Sequence, residues 1–128
     1  MERWILILCH DRPKLADLQG EWQKKGISVR IVSGAGEASS ELSGNTEYLL
    51  VIIFSDGKEY LSSLKIIRGL TKAPVLVVDR QYDSTEKTAA VKAGADEYIK
   101  WTDSYLEENI ASGLALMLLP IFFDLKLL

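Results

Sequence analysis

The feature that most limits the possible folds is an uninterrupted apolar run in the middle of the chain. Residues 48–54 read Tyr-Leu-Leu-Val-Ile-Ile-Phe, and the run ends at Ser55, Asp56 and Gly57. It is too short to span a membrane as a helix, and it lacks the alternation of a strand with one face in water. The run therefore predicts a strand buried on both faces, as in a parallel sheet covered by helices. Ligands of such sheets bind beyond the carboxyl ends of the strands, so residues 54–57 are the first candidate site.

Length, charge and cysteine content restrict the class of protein. A chain of 128 residues can bury a core without disulfides or a structural metal, so we expect residues 1–128 to form one domain. The net charge of -3 offers no basic surface for direct nucleic-acid binding. One cysteine, Cys9, excludes an internal disulfide, and no Cys/His cluster has metal-site spacing. The short apolar run 5–8 leads directly into charged residues, so we predict no export signal and a cytoplasmic protein.

Strand and helix patterns alternate along the chain. Four further strands are predicted, at residues 4–9, 27–32, 75–78 and 98–101. The strand at 27–32 alternates apolar and polar residues, which is typical of an edge strand. Five strands alternating with five helices predict right-handed βα units. The predicted fold class is α/β: a flavodoxin-like, doubly wound, five-stranded parallel sheet of order 2-1-3-4-5 with helices on both faces.

Polar residues mark two helix starts. Asp83 with Glu86 three residues later is a variant of the capping box, and Gly94 would close that helix. Ser104 with Glu107 is the same pattern at the start of the last helix.

The C-terminal segment, residues 104–128, is unusually apolar. Pro120 must break or kink its helix, and the apolar run is shorter than a membrane span requires. One helical stripe is enough to cover the sheet, which leaves further apolar side chains for a partner surface. We therefore predict a homodimer through this segment and no membrane span. The residues predicted to form the dimer surface are Leu116, Leu118, Leu119, Phe122 and Phe123.

Several segments resemble, in order and spacing, the receiver domain of two-component response regulators. These segments are Ile5 to Asp11 with Pro13, Gly36 to Ala38, Asp56-Gly57, Pro74 to Val78 and Ala93 to Tyr98. The match covers roughly residues 4–110, and Ala-Gly-Ala-Asp-Glu-Tyr is its most specific part. The resemblance implies phosphoryl transfer from a histidine kinase to an aspartate ending the third strand, with Mg²⁺ held by acids after the first strand. It also implies that a hydroxyl ending the fourth strand and a lysine ending the fifth sense the phosphate.

The positions for the metal and for the phosphoryl group depart from this pattern. The metal-binding acids align with Cys9 and His10, whose thiol and imidazole are poor ligands for Mg²⁺. The acceptor aspartate aligns with Ile53 or Phe54, which cannot attack phosphorus. The resemblance is therefore to a degenerate receiver, of the pseudo-receiver type.

The sensing positions depart as well. The hydroxyl position is Asp79, whose negative charge would repel a phosphoryl group. The lysine position is Trp101, and Lys100 is displaced by one residue to the other face of its strand. Tyr98 stands at the family's mobile aromatic position, the switch aromatic. Asp79 itself is expected in a loop, either as a helix cap or in solvent.

These residues indicate a non-enzymatic signal-transduction module that acts through protein–protein interaction or dimerisation, independently of phosphorylation. We expect no cofactor and no Mg²⁺; Asp11 and Asp56 are the remaining candidate cation ligands. One alternative is an active receiver in a phosphorelay that uses Asp56 as its acceptor, and a weaker alternative is a small-ligand-binding flavodoxin-like domain. Possible partners are a histidine kinase or an effector domain beyond the chain.

Overall fold

The structure, a computed structural model, describes residues 4–9, 19–20, 23–24, 26–55, 60–79 and 83–100. These residues contain five strands: β1 (Trp4–Leu8), β2 (Ser28–Val32), β3 (Tyr48–Ser55), β4 (Val75–Asp79) and β5 (Glu97–Lys100). They also contain three complete helices: α1 (Ala35–Leu42), α2 (Tyr60–Leu70) and α3 (Ser84–Lys92). No helix in these ranges is long and apolar enough to cross a membrane.

The strands form one sheet in the order β2-β1-β3-β4-β5, and every neighbouring pair is parallel. The predicted fold class and strand order are therefore confirmed. β3 is the central strand, and its apolar run is buried on both faces: Ile52 and Ile53 are both fully buried but belong to different core clusters. Continuous apolarity, rather than alternation, is what a strand in this position requires.

The side chains of the sheet divide between two faces because successive residues of a strand point in opposite directions. One face, which we call the helix face, packs against α1, α2 and α3 through Ala38, Leu64, Ile67 and Ala90. The other, which we call the opposite face, is a separate buried cluster. That cluster contains Ile5, Ile7, Cys9, Ile27, Val29, Leu50, Ile52, Phe54, Leu76 and Val78.

Several strand ends differ by one residue from the sequence prediction. β3 continues through Ser55 and β4 through Asp79 because these two residues are paired in the parallel ladder. Asp79 is also paired with Lys100 of β5, which begins at Glu97. The prediction that Asp79 lies in a loop is therefore wrong.

The start of α3 is only partly as predicted. Asp83 is the N-cap, and its carboxylate accepts a hydrogen bond of 2.8 Å from the Thr85 N–H. The Glu86 carboxylate does not close a capping box; it accepts a hydrogen bond of 2.8 Å from the Tyr60 hydroxyl of α2. Glu86 thus bonds to a residue of another helix instead of to the backbone N–H of Asp83, as a capping box would require.

The central residues of the Ala-Gly-Ala-Asp-Glu-Tyr segment stabilise the fold through contacts with Arg68. Gly94 has a φ of 119°, and a Cβ there would lie 2.5 Å from Cγ of Arg68. Nη1 of Arg68 donates at 3.1 Å to both the Gly94 carbonyl and Oδ2 of Asp96, and Nη2 donates at 2.7 Å to two carbonyls of the α2–β4 loop. Oδ2 of Asp96 also accepts from the Val75 N–H at 2.8 Å. Arg68 therefore joins the end of α2 to the starts of β4 and β5, at the edge opposite the candidate site.

Candidate functional site

The carboxyl ends of the strands bring the backbones of Cys9, Ser55, Asp79 and Lys100 to one edge of the sheet. Cys9 follows β1, and its N–H donates to the Val32 carbonyl at 2.9 Å. Ser55, Asp79 and Lys100 are neighbours across β3, β4 and β5. This is the edge at which parallel α/β sheets bind ligands.

The predicted site residues on the first and third strands are divided between the two faces of the sheet. Cys9 and Phe54 belong to the cluster on the opposite face, whereas Ile53 is fully buried on the helix face. Ile53 and Phe54 are thus core residues, and neither side chain has a nucleophilic atom.

Asp79 is a polar residue buried at this edge on the helix face. Its carboxylate accepts a hydrogen bond from the Tyr98 hydroxyl, and only 7% of Asp79 and 1% of Tyr98 are exposed. Asp79 is thus neither a helix cap nor in solvent, because the extra strand residue turns its side chain toward β5 and the helix face.

A second tyrosine extends this pair into a row of polar groups. The Tyr60 and Tyr98 rings are tilted against each other with centroids 6.5 Å apart, and the Tyr60 hydroxyl donates to Oε2 of Glu86. The row Glu86, Tyr60, Tyr98, Asp79 therefore runs from α3 through the core to the carboxyl edge. We call it the tyrosine row.

Both tyrosines of the row hold their protons strongly. Burial, followed by the hydrogen bond to Glu86, raises the pKa of Tyr60 well above its ordinary value of 10.0. Burial, followed by the hydrogen bond to Asp79, raises the pKa of Tyr98 in the same direction. Both hydroxyls are therefore protonated donors at neutral pH.

Among the residues that the structure describes, no group of three or more His, Cys, Asp and Glu side chains could hold a metal ion. His10, Asp11, Asp56 and Trp101 lie outside the described residues. The candidate cation ligands and the alternative acceptor therefore stay predictions.

A cleft of about 490 Å³ lies at the other end of the sheet. It is lined by residues 44–49 before and at the start of β3 and by residues 70–73 before β4, together with Leu42. These are the amino-terminal ends of the strands, so the cleft is separate from Asp79 and the carboxyl edge.

Comparisons with known proteins bear on the fold. No protein-family model matches the chain, and no curated protein matches it significantly. Among solved structures, it is similar to a two-component response regulator from Clostridium difficile, with a TM-score of 0.73 and 21% identity over 92% of this chain and 93% of that chain. The chain has the receiver fold. An orphan response regulator of H. pylori gives a TM-score of 0.72 and 20% identity, covering 90% and 92% of the two chains. A CheY-like receiver domain from Methanospirillum hungatei gives 0.71 and 22%, covering 89% and 94%.

Within the receiver fold, sequence reasoning missed the partners that organise the edge. The helical spacing of Tyr60 with Leu64 and Ile67 predicts a buried ring, but it does not predict the hydrogen bond from the Tyr60 hydroxyl. The end of the apolar run predicts that β3 stops before Ser55, but Ser55 is a buried strand residue beside Asp79. A useful signal was available: a buried tyrosine usually needs a hydrogen-bond partner, and Glu86 is an acidic residue on the next helix.

Proposed function

We propose that the chain is a receiver-like signal-transduction module that acts through protein–protein contacts, without phosphorylation and without catalysing a reaction. The observation that carries this proposal is the buried pair of Asp79 and Tyr98 at the end of β4. In the receivers that the sequence resembles, this strand end supplies a hydroxyl to the phosphoryl group. Here it supplies a carboxylate that is already bonded within the protein.

Charge supports the proposal. A phosphoryl group carries negative charge, and phosphoryl-transfer sites neutralise it with metal ions and fixed cations. The Asp79 carboxylate, at the end of β4 beside β3, adds negative charge instead of neutralising it. At short range inside a protein, the repulsion between a carboxylate and a phosphoryl group is strong. Asp79 therefore disfavours a phosphoryl group beside it.

Cys9, at the end of the first strand, also supports the proposal. Cys9 is buried against apolar side chains on the opposite face, and a thiol is a poor ligand for a hard ion such as Mg²⁺. We propose that the module needs neither Mg²⁺ nor another cofactor.

The proposed partners are proteins. The C-terminal segment carries the apolar residues Leu116, Leu118, Leu119, Phe122 and Phe123, which we propose form a homodimer interface; they lie outside the described residues. A histidine kinase or an effector domain is a further possible partner. We propose no direct contact with nucleic acid.

One observation favours the alternative of an active phospho-acceptor. β3 extends one residue beyond the apolar run, through Ser55, so Asp56 follows directly on the strand. Asp56 is therefore the residue that this alternative uses as its acceptor.

Beryllofluoride, a phosphoryl mimic that needs an acceptor carboxylate and a divalent cation, separates the two functions. We expect the amide spectrum of the protein with Mg²⁺ to be unchanged when beryllofluoride is added. Shifts concentrated at Ser55, Asp79 and Lys100 would contradict the proposal if they disappear in Asp56→Asn. Shifts that persist in Asp56→Asn would not come from an acceptor at that position and would leave the proposal standing.

A further inference from the structure

Helix α3 contributes little apolar surface to the core. Of its nine residues only Ala90 is buried, whereas α2 buries Tyr60, Leu64 and Ile67. Hydrophobic stabilisation scales with the apolar area removed from water, so an alanine contributes far less than a leucine or isoleucine. The sheet therefore holds α3 more weakly through apolar contact than it holds α2.

Polar contacts hold the amino-terminal half of α3. The Tyr60 hydroxyl donates to Oε2 of Glu86 at 2.8 Å. An ion pair between Lys87 and Glu97, at 3.7 Å, is solvent-exposed, and such pairs stabilise little. Among the residues that the structure describes, the hydrogen bond between Tyr60 and Glu86 is thus the main polar attachment of this half of the helix.

The carboxyl-terminal end is attached differently. Arg68 donates to the Gly94 carbonyl and to Asp96, and Gly94 turns the chain with its φ of 119°. These contacts involve α2 and β5 and do not depend on the tyrosine row. They form a fixed point at one end of α3, while the hydrogen bond from the Tyr60 hydroxyl secures the other end.

We propose that α3 is a detachable element, latched to the body of the protein by the hydrogen bond from Tyr60 to Glu86. When the latch opens, α3 leaves the sheet from its amino-terminal end while β1 to β4 and α2 stay folded. A helix of nine residues is unstable alone in water, so the released segment also loses its helical hydrogen bonds. A protein partner that binds α3, or the surface it leaves, would shift this equilibrium without any phosphoryl group. Only this last step rests on the proposed function.

Amide hydrogen exchange tests the latch, because it reports how often each element opens. Tyr60→Phe keeps the ring in the core and removes only the hydroxyl. We expect exchange at the α3 amides, from Lys87 to Ala93, to accelerate about fivefold, the factor for a typical net hydrogen bond. The amides of α2 and β3 should keep their rates.

The chain offers a matched control. The Tyr48 hydroxyl donates to Oε2 of Glu41 at 2.8 Å, the same kind of bond between β3 and α1. Tyr48→Phe should leave the exchange of α3 unchanged. Glu86→Gln, a change at a half-buried helix position, provides a second variant that weakens the latch from the other side and should accelerate exchange in α3 alone.

Two results would overturn the proposal. One is an unchanged exchange rate of the α3 amides in both Tyr60→Phe and Glu86→Gln. The other is an equal acceleration of amide exchange in α3, α2 and β3, which would mean that the Tyr60 hydroxyl stabilises the whole domain. Neither result depends on the response to beryllofluoride, so this proposal and the proposed function can fail separately.

Discussion

At the scale of single residues, the chemistry of the carboxyl edge depends on which group hydrogen-bonds to the buried Asp79 carboxylate. A buried carboxylate without a partner is costly, and the Tyr98 hydroxyl donates a hydrogen bond to the Asp79 carboxylate. An edge that could bind a phosphoryl group in another receiver fold is thus occupied by an internal hydrogen bond.

This arrangement predicts coupling between Asp79 and Tyr98. Tyr98→Phe should lower the free energy of unfolding by about 1–3 kcal/mol, because it removes a donor from a buried acceptor. Asp79→Ala combined with Tyr98→Phe should cost at least about 1 kcal/mol less than the sum of the two single changes. Urea unfolding of the four proteins in this cycle measures the difference, and additive effects would show that the bond is not important for stability.

The tyrosines also predict alkaline sensitivity. Burial, followed by the hydrogen bond to Glu41, raises the pKa of Tyr48 to about 12, and the pKa values of Tyr60 and Tyr98 are raised further. Above pH 10.0, the ordinary tyrosine value, the unfolded chain loses protons that the folded protein keeps. The free energy of unfolding should therefore be constant with respect to these groups below that pH and should fall above it.

Urea unfolding at a series of alkaline pH values measures this fall. Each such tyrosine contributes up to about 1.4 kcal/mol per pH unit. Tyr48→Phe should make the fall shallower by one such contribution. A slope that this change does not alter would mean that Tyr48 titrates normally in the folded protein.

The site was less predictable from sequence than the fold, for a physical reason. Whether Asp79 is a loop residue or a buried strand residue depends on one more pair in the ladder, and that pair depends on Ser55 of another strand. In the sequence both residues follow an apolar run, where a turn is as reasonable as a further strand residue. Pairing between β3 and β4 makes them strand residues, and the local sequence does not encode that pairing.

At the scale of elements, the apolar run in β3 carried most of the correct prediction. Its length and lack of alternation identified a doubly covered strand, and the strand and helix patterns around it gave the order of the sheet. The glycine after α3 was also placed correctly. The capping box failed because Glu86 had a better partner in Tyr60, which lies 26 residues away in sequence.

The central strand provides the prediction at this scale. Ile53→Ala should lower the free energy of unfolding by about 2–5 kcal/mol, because the side chain is fully buried and its loss leaves a cavity. Ile66 is a matched control on α2, where the same side chain is 48% exposed, and Ile66→Ala should cost much less. A loss below about 1 kcal/mol for Ile53→Ala, measured by urea unfolding, would contradict a central position for β3.

At the scale of the whole molecule, a receiver fold is combined with a carboxyl edge that differs from the family's pattern. The fold brings strand ends together whatever residues they carry, so fold and chemistry can be separated. What this chain shares with the solved receiver structures is the arrangement of its strands and helices.

Assembly is predicted from the C-terminal segment. Leaving its surplus leucine and phenylalanine side chains in water forgoes about 1.5–3 kcal/mol for each one that could be fully buried. Light scattering behind a sizing column should therefore report a dimer at micromolar concentration. Truncation after Ala111 should give monomer or insoluble protein. A soluble, folded monomer that keeps the whole segment would contradict this prediction.

We propose that this receiver fold acts without phosphorylation. Incubation with acetyl phosphate and Mg²⁺, followed by measurement of the intact mass, tests this proposal, with Asp56→Asn as the control. We expect the mass of the protein to be unchanged, because Ile53 and Phe54 are core residues and Asp79 places negative charge at the edge. A mass increase of one phosphoryl group that is absent in Asp56→Asn would contradict the account and would establish Asp56 as the acceptor.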